Sequence, residues 1–222
     1  MITAVFFDLD GTLADTAPDL AGALNQLLTE HHQPPLPFTK IRPVVSHGGN
    51  ALIQLAFGMT ETHPDFQPIR ERFLQIYQTR LHNSTHLFEG VETVLDTLES
   101  RQITWGVITN KPAWLTHPLM AKLGLTERAG CIICGDSTTH SKPHPAPLLL
   151  ACEMTNCVPA SSLYIGDAER DITAGSAAGM HTLVALYGYI DQEETPEQWQ
   201  ADGMISRPVE IIDWIEKFNR HS

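Results

Sequence analysis

Asp8-Leu9-Asp10-Gly11-Thr12 sets two carboxylates two residues apart, directly after the apolar run Ile2–Phe7. In extended backbone, side chains at i and i+2 face the same way, so both acids can address one ligand. One carboxylate can attack phosphorus and form an aspartyl phosphate. The other can protonate a leaving oxygen and later take a proton from water. Gly11 lets the chain turn sharply behind them. A turn capped by acidic residues after a strand would look the same, so the pair gains weight only from partners elsewhere.

Three further clusters supply such partners. Ile108-Thr109-Asn110 follows a Val/Ile/Trp-rich run; a hydroxyl there, with the backbone amides after it, can hold a phosphate oxygen. Thr109 suits equally well as a cap for the helix that Lys111-Pro112 would begin. Ser141-Lys142-Pro143 brings a cation to a helix start, where it would neutralise a transferring phosphoryl group and Asp8; a solvated surface lysine is the plain alternative. Gly166-Asp167-Ala168-Glu169-Arg170-Asp171 offers carboxylates after the run Ser162–Ile165. Hard cations such as Mg²⁺ take oxygen ligands and keep several waters, so one or two carboxylates suffice. Asp167 is placed to be a ligand and Asp171 to hold a metal-bound water. Helix-dipole preference explains Glu169 and Asp171, but Asp167 less well.

The elements that must position these residues follow from periodicity. Ile2–Phe7, Thr104–Thr109, Cys131–Cys134, Ser162–Ile165 and Thr182–Leu186 are short apolar runs of buried-strand type. Helical spacing marks Val91–Arg101, Leu115–Leu123, Pro145–Cys157, and Asp171–Ala178 before Gly179. The tail Val209–Phe218 is a closing amphipathic helix. Strands alternating with helices predict an α/β fold, a Rossmann-like parallel sheet with helices on both faces. Residues 19–86 break the rhythm: Leu20–Glu30, Ala51–Phe57 and Ile69–Leu81 are helical, with Pro34-Pro35-Leu36-Pro37 between the first two. The expected organisation is a discontinuous core, 1–15 and 87–222, with an inserted all-helical domain, 16–86. All four clusters then fall at carboxyl ends of strands, where parallel sheets bind ligands.

Composition narrows the partners. The 222 residues are 42% hydrophobic and 18% charged, which suits a folded chain. A formal net charge of -12 disfavours nucleic acid and anionic membranes. The N-terminus lacks a basic flank and meets Asp8 early, unlike a signal peptide, and no apolar stretch reaches membrane-span length. A cytoplasmic protein is expected. Of the four cysteines, Cys131, Cys134, Cys152 and Cys157, the first two form Cys131-Ile-Ile-Cys134 in a strand-like run without a second pair at zinc spacing, so this pair is expected as buried small hydrophobes.

The four clusters, in this order, resemble the haloacid dehalogenase-like phosphatases. The family pattern D-x-D-G-T is met by Asp8–Thr12, the strand ending in Thr or Ser by Val107-Ile108-Thr109, the Lys-Pro by Lys142-Pro143, and G-D-x-x-x-D by Gly166–Asp171. The resemblance implies Asp8 as nucleophile and metal ligand. Asp10 would be the general acid/base and lend a carbonyl to Mg²⁺, and Asp167 would be a ligand supported by Asp171. Thr109, Asn110 and Lys142 would bind phosphate. The helical insertion resembles the family's mobile cap, which excludes water. Asp10 separates phosphatase from dehalogenase, because a halide needs no proton to leave. Ala168, where relatives often carry a polar residue, is a departure expected to tune the site.

Val45–Gly49, Gly106–Pro112 and Tyr187–Ile190 look close to the phosphoglycolate phosphatase group and its N-acetylmuramic acid 6-phosphate phosphatase branch. The implied partner is a small phosphorylated metabolite, handled by a monomer or homodimer. Ser46-His47-Gly48-Gly49 would face substrate, since amides at a helix start can hold an anion or a sugar hydroxyl; a plain helix start explains His47 equally. His82 and His86 flank the expected hinge and are not read as a metal pair, and Trp105 and Trp114 read as core. The rivals are a sugar-phosphate mutase of β-phosphoglucomutase type and a non-catalytic binding protein on the same fold. Phosphonate hydrolysis, which in relatives needs a cap lysine, is disfavoured because Lys40 is the only lysine there.

Overall fold

The computed structural model describes residues 1–220. Its strands are β1 (Ala4–Phe7), β2 (Ala14–Asp15), β3 (His86–Leu87), β4 (Thr104–Ile108), β5 (Ile132–Ile133), β6 (Ser162–Gly166), β7 (His181–Ala185) and β8 (Gly203–Ile205). Six of them form a parallel sheet in the order β5-β4-β1-β6-β7-β8. Every side chain of β1 is buried, as a strand covered on both faces requires. Val5 and Phe7 join one apolar cluster with Leu95 and Leu98 of α5 (Val91–Ser100) and Ile211 of α9 (Glu210–Arg220). Ala4 and Phe6 join another with Leu148 and Ala151 of α7 (Ala146–Thr155) and Ala174 of α8 (Glu169–Ala178). Helices therefore cover both faces, as expected of the α/β class. Each large side chain buried this way contributes about 1.5–3 kcal/mol.

Between β2 and β3 the chain is helical: α1 (Ala17–Glu30), α2 (Phe38–Ile41), a 3₁₀ turn (Arg42–His47), α3 (Gly48–Phe57) and α4 (Phe66–Arg80). Leu24 and Leu27 of α1 share an apolar cluster with Phe73 and Tyr77 of α4. The segment's two ends are tied together. Ala14 pairs with Leu87 and Asp15 with His86, antiparallel. Buried Asp19 then accepts the Ser84 and Thr85 N–H groups and the Thr85 hydroxyl.

Some boundaries differ from expectation. α1 begins at Ala17 rather than Leu20, because Pro18 suits a first helical turn. α3 begins at Gly48, so Gly48 and Gly49 are its first residues. α7 stops at Thr155, with Asn156 in the left-handed region as its cap. The pairing of β2 with β3 and the edge strand β8 are additions; two or three residues are too few to show a period of two. The four cysteines are free thiols, Cys157 half-buried and the others buried, and Cys131 and Cys134 flank β5 at 4% and 1% exposure. Among the described residues no helix is long and apolar enough to cross a membrane.

Candidate functional site

The chain runs from β1 outward to β4 and β5, then returns across β1 to β6. This reversal opens a crevice between β1 and β6, the place where open α/β sheets bind ligands. Asp8 follows β1 and Asp167 follows β6. One oxygen from each of Asp8, Asp167 and Asp171 lies within 4.8 Å of the others. Asp8 is 4% exposed, and Asp167 and Asp171 are 0% exposed. The backbone had to be glycine for this approach: Gly11 has φ +86°, and a Cβ there would stand 2.1 Å from Asp167 Oδ2.

Three buried acids in one place need a counter-charge. Lys142 supplies one: its Nζ is 2.9 Å from Asp8 Oδ1 and 2.8 Å from Asp171 Oδ1, and also bonds Ile108 O and Tyr164 Oη. It does not suffice. Burial, with Asp171 adding to it, raises the Asp8 pKa to about 6 against the pull of Lys142. Burial, then the charges of Asp8 and Asp171, raises Asp167 to about 7, although Ser46 and the Tyr189 N–H hold it down. Such mutual repulsion is relieved by a bound cation. All the donors are carboxylate oxygens, which fits a hard divalent ion. Both oxygens of Asp171 are engaged, Oδ1 by Lys142 and Oδ2 by the Ala168 N–H at 3.1 Å; in Asp8 the partners fall on Oδ1 alone, and Asp167 Oδ1 accepts only the Thr12 hydroxyl, at 3.3 Å, among the described residues.

Asp10 sits beside this centre with its side chain 18% exposed. Its Oδ1 accepts the Thr16 hydroxyl at 2.5 Å and Lys111 Nζ at 2.8 Å. Both donors act on one oxygen, which leaves Oδ2 as the atom able to carry a proton. Lys111 also donates to Tyr77 Oη at 2.9 Å. Burial alone would lower the Lys111 pKa, but Asp10 and Tyr77 reverse this and hold it above the ordinary value. Burial pushes Tyr77 up to about 12.

Thr109 is buried and accepts the Lys111 N–H through Oγ1. Asn110 grips Lys142 on both sides: its amide accepts the Lys142 N–H at 3.0 Å and donates to the Lys142 carbonyl at 2.9 Å. Its side chain is thus spent on placing the lysine. Thr109 and Asn110 both line a cavity of about 240 Å³ together with Asp8 and Asp10.

Ser46, His47, Gly48 and Gly49 line the same cavity from the helical segment. Ser46 Oγ donates to Asp167 Oδ2 at 2.5 Å, and its carbonyl accepts from the half-buried Arg170 guanidinium. His47 lies 4.0 Å from Glu194. Sequence reasoning missed Lys111, which looked like the start of a helix, and Arg170, an unremarked position inside G-D-x-x-x-D. Tyr77, Phe73 and Arg70 were also missed, as members of an ordinary helical pattern. The arrangement can bind an anion, hold a cation, present a carboxylate as nucleophile and move one proton.

A family model for haloacid dehalogenase-like hydrolases matches residues 5–185, and the chain belongs to that family. It is 40% identical over 216 residues to an N-acetylmuramic acid 6-phosphate phosphatase of Pseudomonas aeruginosa, covering 97% of this chain and 96% of that one. It is 39% identical over 208 residues to a phosphoglycolate phosphatase of Xanthomonas campestris pv. campestris, 94% of each chain. A crystal structure of a predicted phosphoglycolate phosphatase from Haemophilus somnus 129PT superposes with TM-score 0.85 at 27% identity, covering 96% of this chain and 97% of that one. Within the family the chain is a phosphoric monoester hydrolase, the activity class these relatives share.

Proposed function

We propose that this enzyme is a Mg²⁺-dependent phosphatase acting through an aspartyl phosphate on Asp8. Its leading substrates are 2-phosphoglycolate and N-acetylmuramic acid 6-phosphate. The observation that carries the proposal is the meeting of three carboxylates within 4.8 Å, Asp8 and Asp167 from the ends of adjacent strands and Asp171 from the first turn of α8. Asp8, the Asp10 backbone carbonyl and Asp167 would hold Mg²⁺, with Asp171 in support. When bound, the ion supplies charge for the phosphoryl oxygens.

The chain's own residues do the rest. Lys142, fixed by Asn110, and Thr109 hold the phosphate beside Asp8. An oxygen of Asp8 attacks phosphorus, the ester P–O bond breaks, and Asp10 gives its proton to the leaving oxygen. Asp10 then takes a proton from water as that water attacks phosphorus. The Asp8–phosphate bond breaks and inorganic phosphate leaves. We read residues 16–86 as a cap over the core of 1–15 and 87–222, with Ser46–Gly49 facing substrate and excluding bulk water. The enzyme would work in the cytoplasm as a monomer or homodimer on a small metabolite, without nucleic-acid or membrane partners.

A phosphate-release assay with Mg²⁺ over a panel of esters tests this. Turnover of one or both leading substrates, abolished by EDTA and restored by Mg²⁺, is expected. Indifference to chelation would remove the metal assignment. A strict need for a sugar bisphosphate, with little free phosphate, would favour a mutase.

A further inference from the structure

The cavity is lined by three permanent or near-permanent cations: Lys111, Arg170 and Arg70. Two of them have acidic neighbours. Lys111 is paired with Asp10 at 2.8 Å, and Arg170 is embedded in the field of Asp171, Asp8 and Asp167. His47, also on the wall, stands near Glu194. Arg70, half-buried on α4, is different. Among the described residues its guanidinium makes one hydrogen bond, Nε to Asn50 Oδ1 at 2.6 Å, and no ion pair.

Asn50 is a telling partner. Its other amide atom donates to Glu61 Oε1 at 2.7 Å. A neutral amide therefore stands between Glu61 and Arg70, where direct contact would have cancelled the arginine's charge. Nε is fixed in orientation while the end-on pair Nη1 and Nη2 stays available. That fork matches a carboxylate in bidentate fashion. The neighbouring wall, Leu52, Phe73 and Leu74, is apolar and offers no competing acceptor. Among the described residues Nη1 and Nη2 have no hydrogen-bond partner, so an anion at the fork would gain charge-assisted hydrogen bonds without displacing a protein acceptor.

We propose that Arg70, oriented by Asn50, binds the carboxylate of the substrate, so that the enzyme selects phosphate esters of carboxylic acids. This rests on the phosphatase reading of the site and adds to it a second anionic anchor. The phosphate would bind at the sheet end of the cavity and the carboxylate at α4.

Matched pairs isolate the carboxylate. N-Acetylmuramic acid 6-phosphate differs from N-acetylglucosamine 6-phosphate by its lactyl ether, and 2-phosphoglycolate differs from 2-hydroxyethyl phosphate at one carbon. Steady-state phosphate release with Mg²⁺ is measured for each pair with wild type, Arg70→Ala, Arg70→Lys and Asn50→Asp. Wild type should prefer the acid of at least one pair. Arg70→Ala should lower the acid-to-neutral ratio of kcat/KM by about ten- to a hundredfold, the worth of a charged hydrogen-bonded contact, mostly through KM. Arg70→Lys should keep part of the ratio, and Asn50→Asp, which places a carboxylate on Arg70, should lose it. If Arg70→Ala fails to fold, the other two variants decide by the same ratio. An unchanged ratio in the folded variants, or no wild-type preference for either acid, would overturn the anchor while leaving the phosphatase intact. Phosphate release from none of the four esters would overturn both.

Discussion

The two walls of the cavity are built on opposite principles. At the strand ends the charges are buried and crowded against one another: Asp8, which lines the cavity, and Asp167, Asp171 and Lys142 beside it are each at most 4% exposed. The wall from the helical segment mixes buried Leu52, Phe73 and Tyr77 with half-buried Leu74 and exposed His47. It carries apolar side chains and one arginine that no described acid neutralises. Bond-making benefits from groups that need not reorganise, which burial and full hydrogen bonding provide. Selection among substrates benefits from groups that a ligand itself completes. Chemistry and choice are thus separated by location.

The largest expected effect falls on the buried wall. Asp8→Asn should abolish phosphate release, while the metal-free protein melts at an equal or higher temperature because one like charge has left the acidic trio. A substantial remaining rate would move the nucleophile elsewhere. Asp10→Asn should lower kcat by about 10²–10⁴-fold, the usual worth of acid–base catalysis; single-turnover kinetics would place the loss in both formation and hydrolysis of the phosphoenzyme. Lys111→Met, which removes the ammonium that links Asp10 to Tyr77, should lower kcat by about 10–100-fold through loss of positioning. A variant that melts normally and turns over normally would detach Lys111 from the chemistry.

The smallest effect is on stability. Asp8 and Asp167 titrate near 6 and 7 in the folded protein against 3.8 ordinarily. Between those values the folded state binds more protons than the unfolded chain, so this contribution is full below the ordinary value and lost as pH rises through about 6–7. Mg²⁺ needs ionised carboxylates. It should therefore raise the melting temperature of the metal-free protein more at about pH 7.5 than at about pH 5. Equal shifts at both values would argue that Mg²⁺ binds elsewhere.

The same division governs what the sequence discloses. Asp8, Asp10, Asp167 and Asp171 stand within a few residues of apolar strands, so local pattern and family resemblance both mark them, while Lys142, farther from β5, is marked by its Lys-Pro pair. The sheet is legible for the same reason: runs such as Ala4–Phe7 and Ser162–Ile165 are apolar on both faces. Lys111 and Arg170 are harder. Each lies beside a marked residue, but their partners Tyr77 and Ser46 are 34 and 124 positions away, and no periodicity encodes such a meeting. Arg70 is an unremarkable helix residue until α3 and α4 pack and Asn50 meets it. Strands of two or three residues, such as β2, β3 and β8, are set by partners rather than by their own composition.

One junction has wider reach than its size suggests. Where Ala14 pairs with Leu87 and Asp19 clasps Thr85, the chain departs and comes back at a single doorway. A relative's helices grafted between these ties would leave the threading of the sheet unaltered. Such a graft would have to keep Ser46, which donates to Asp167, and Tyr77, which meets Lys111, for the groups at the strand ends to stay placed.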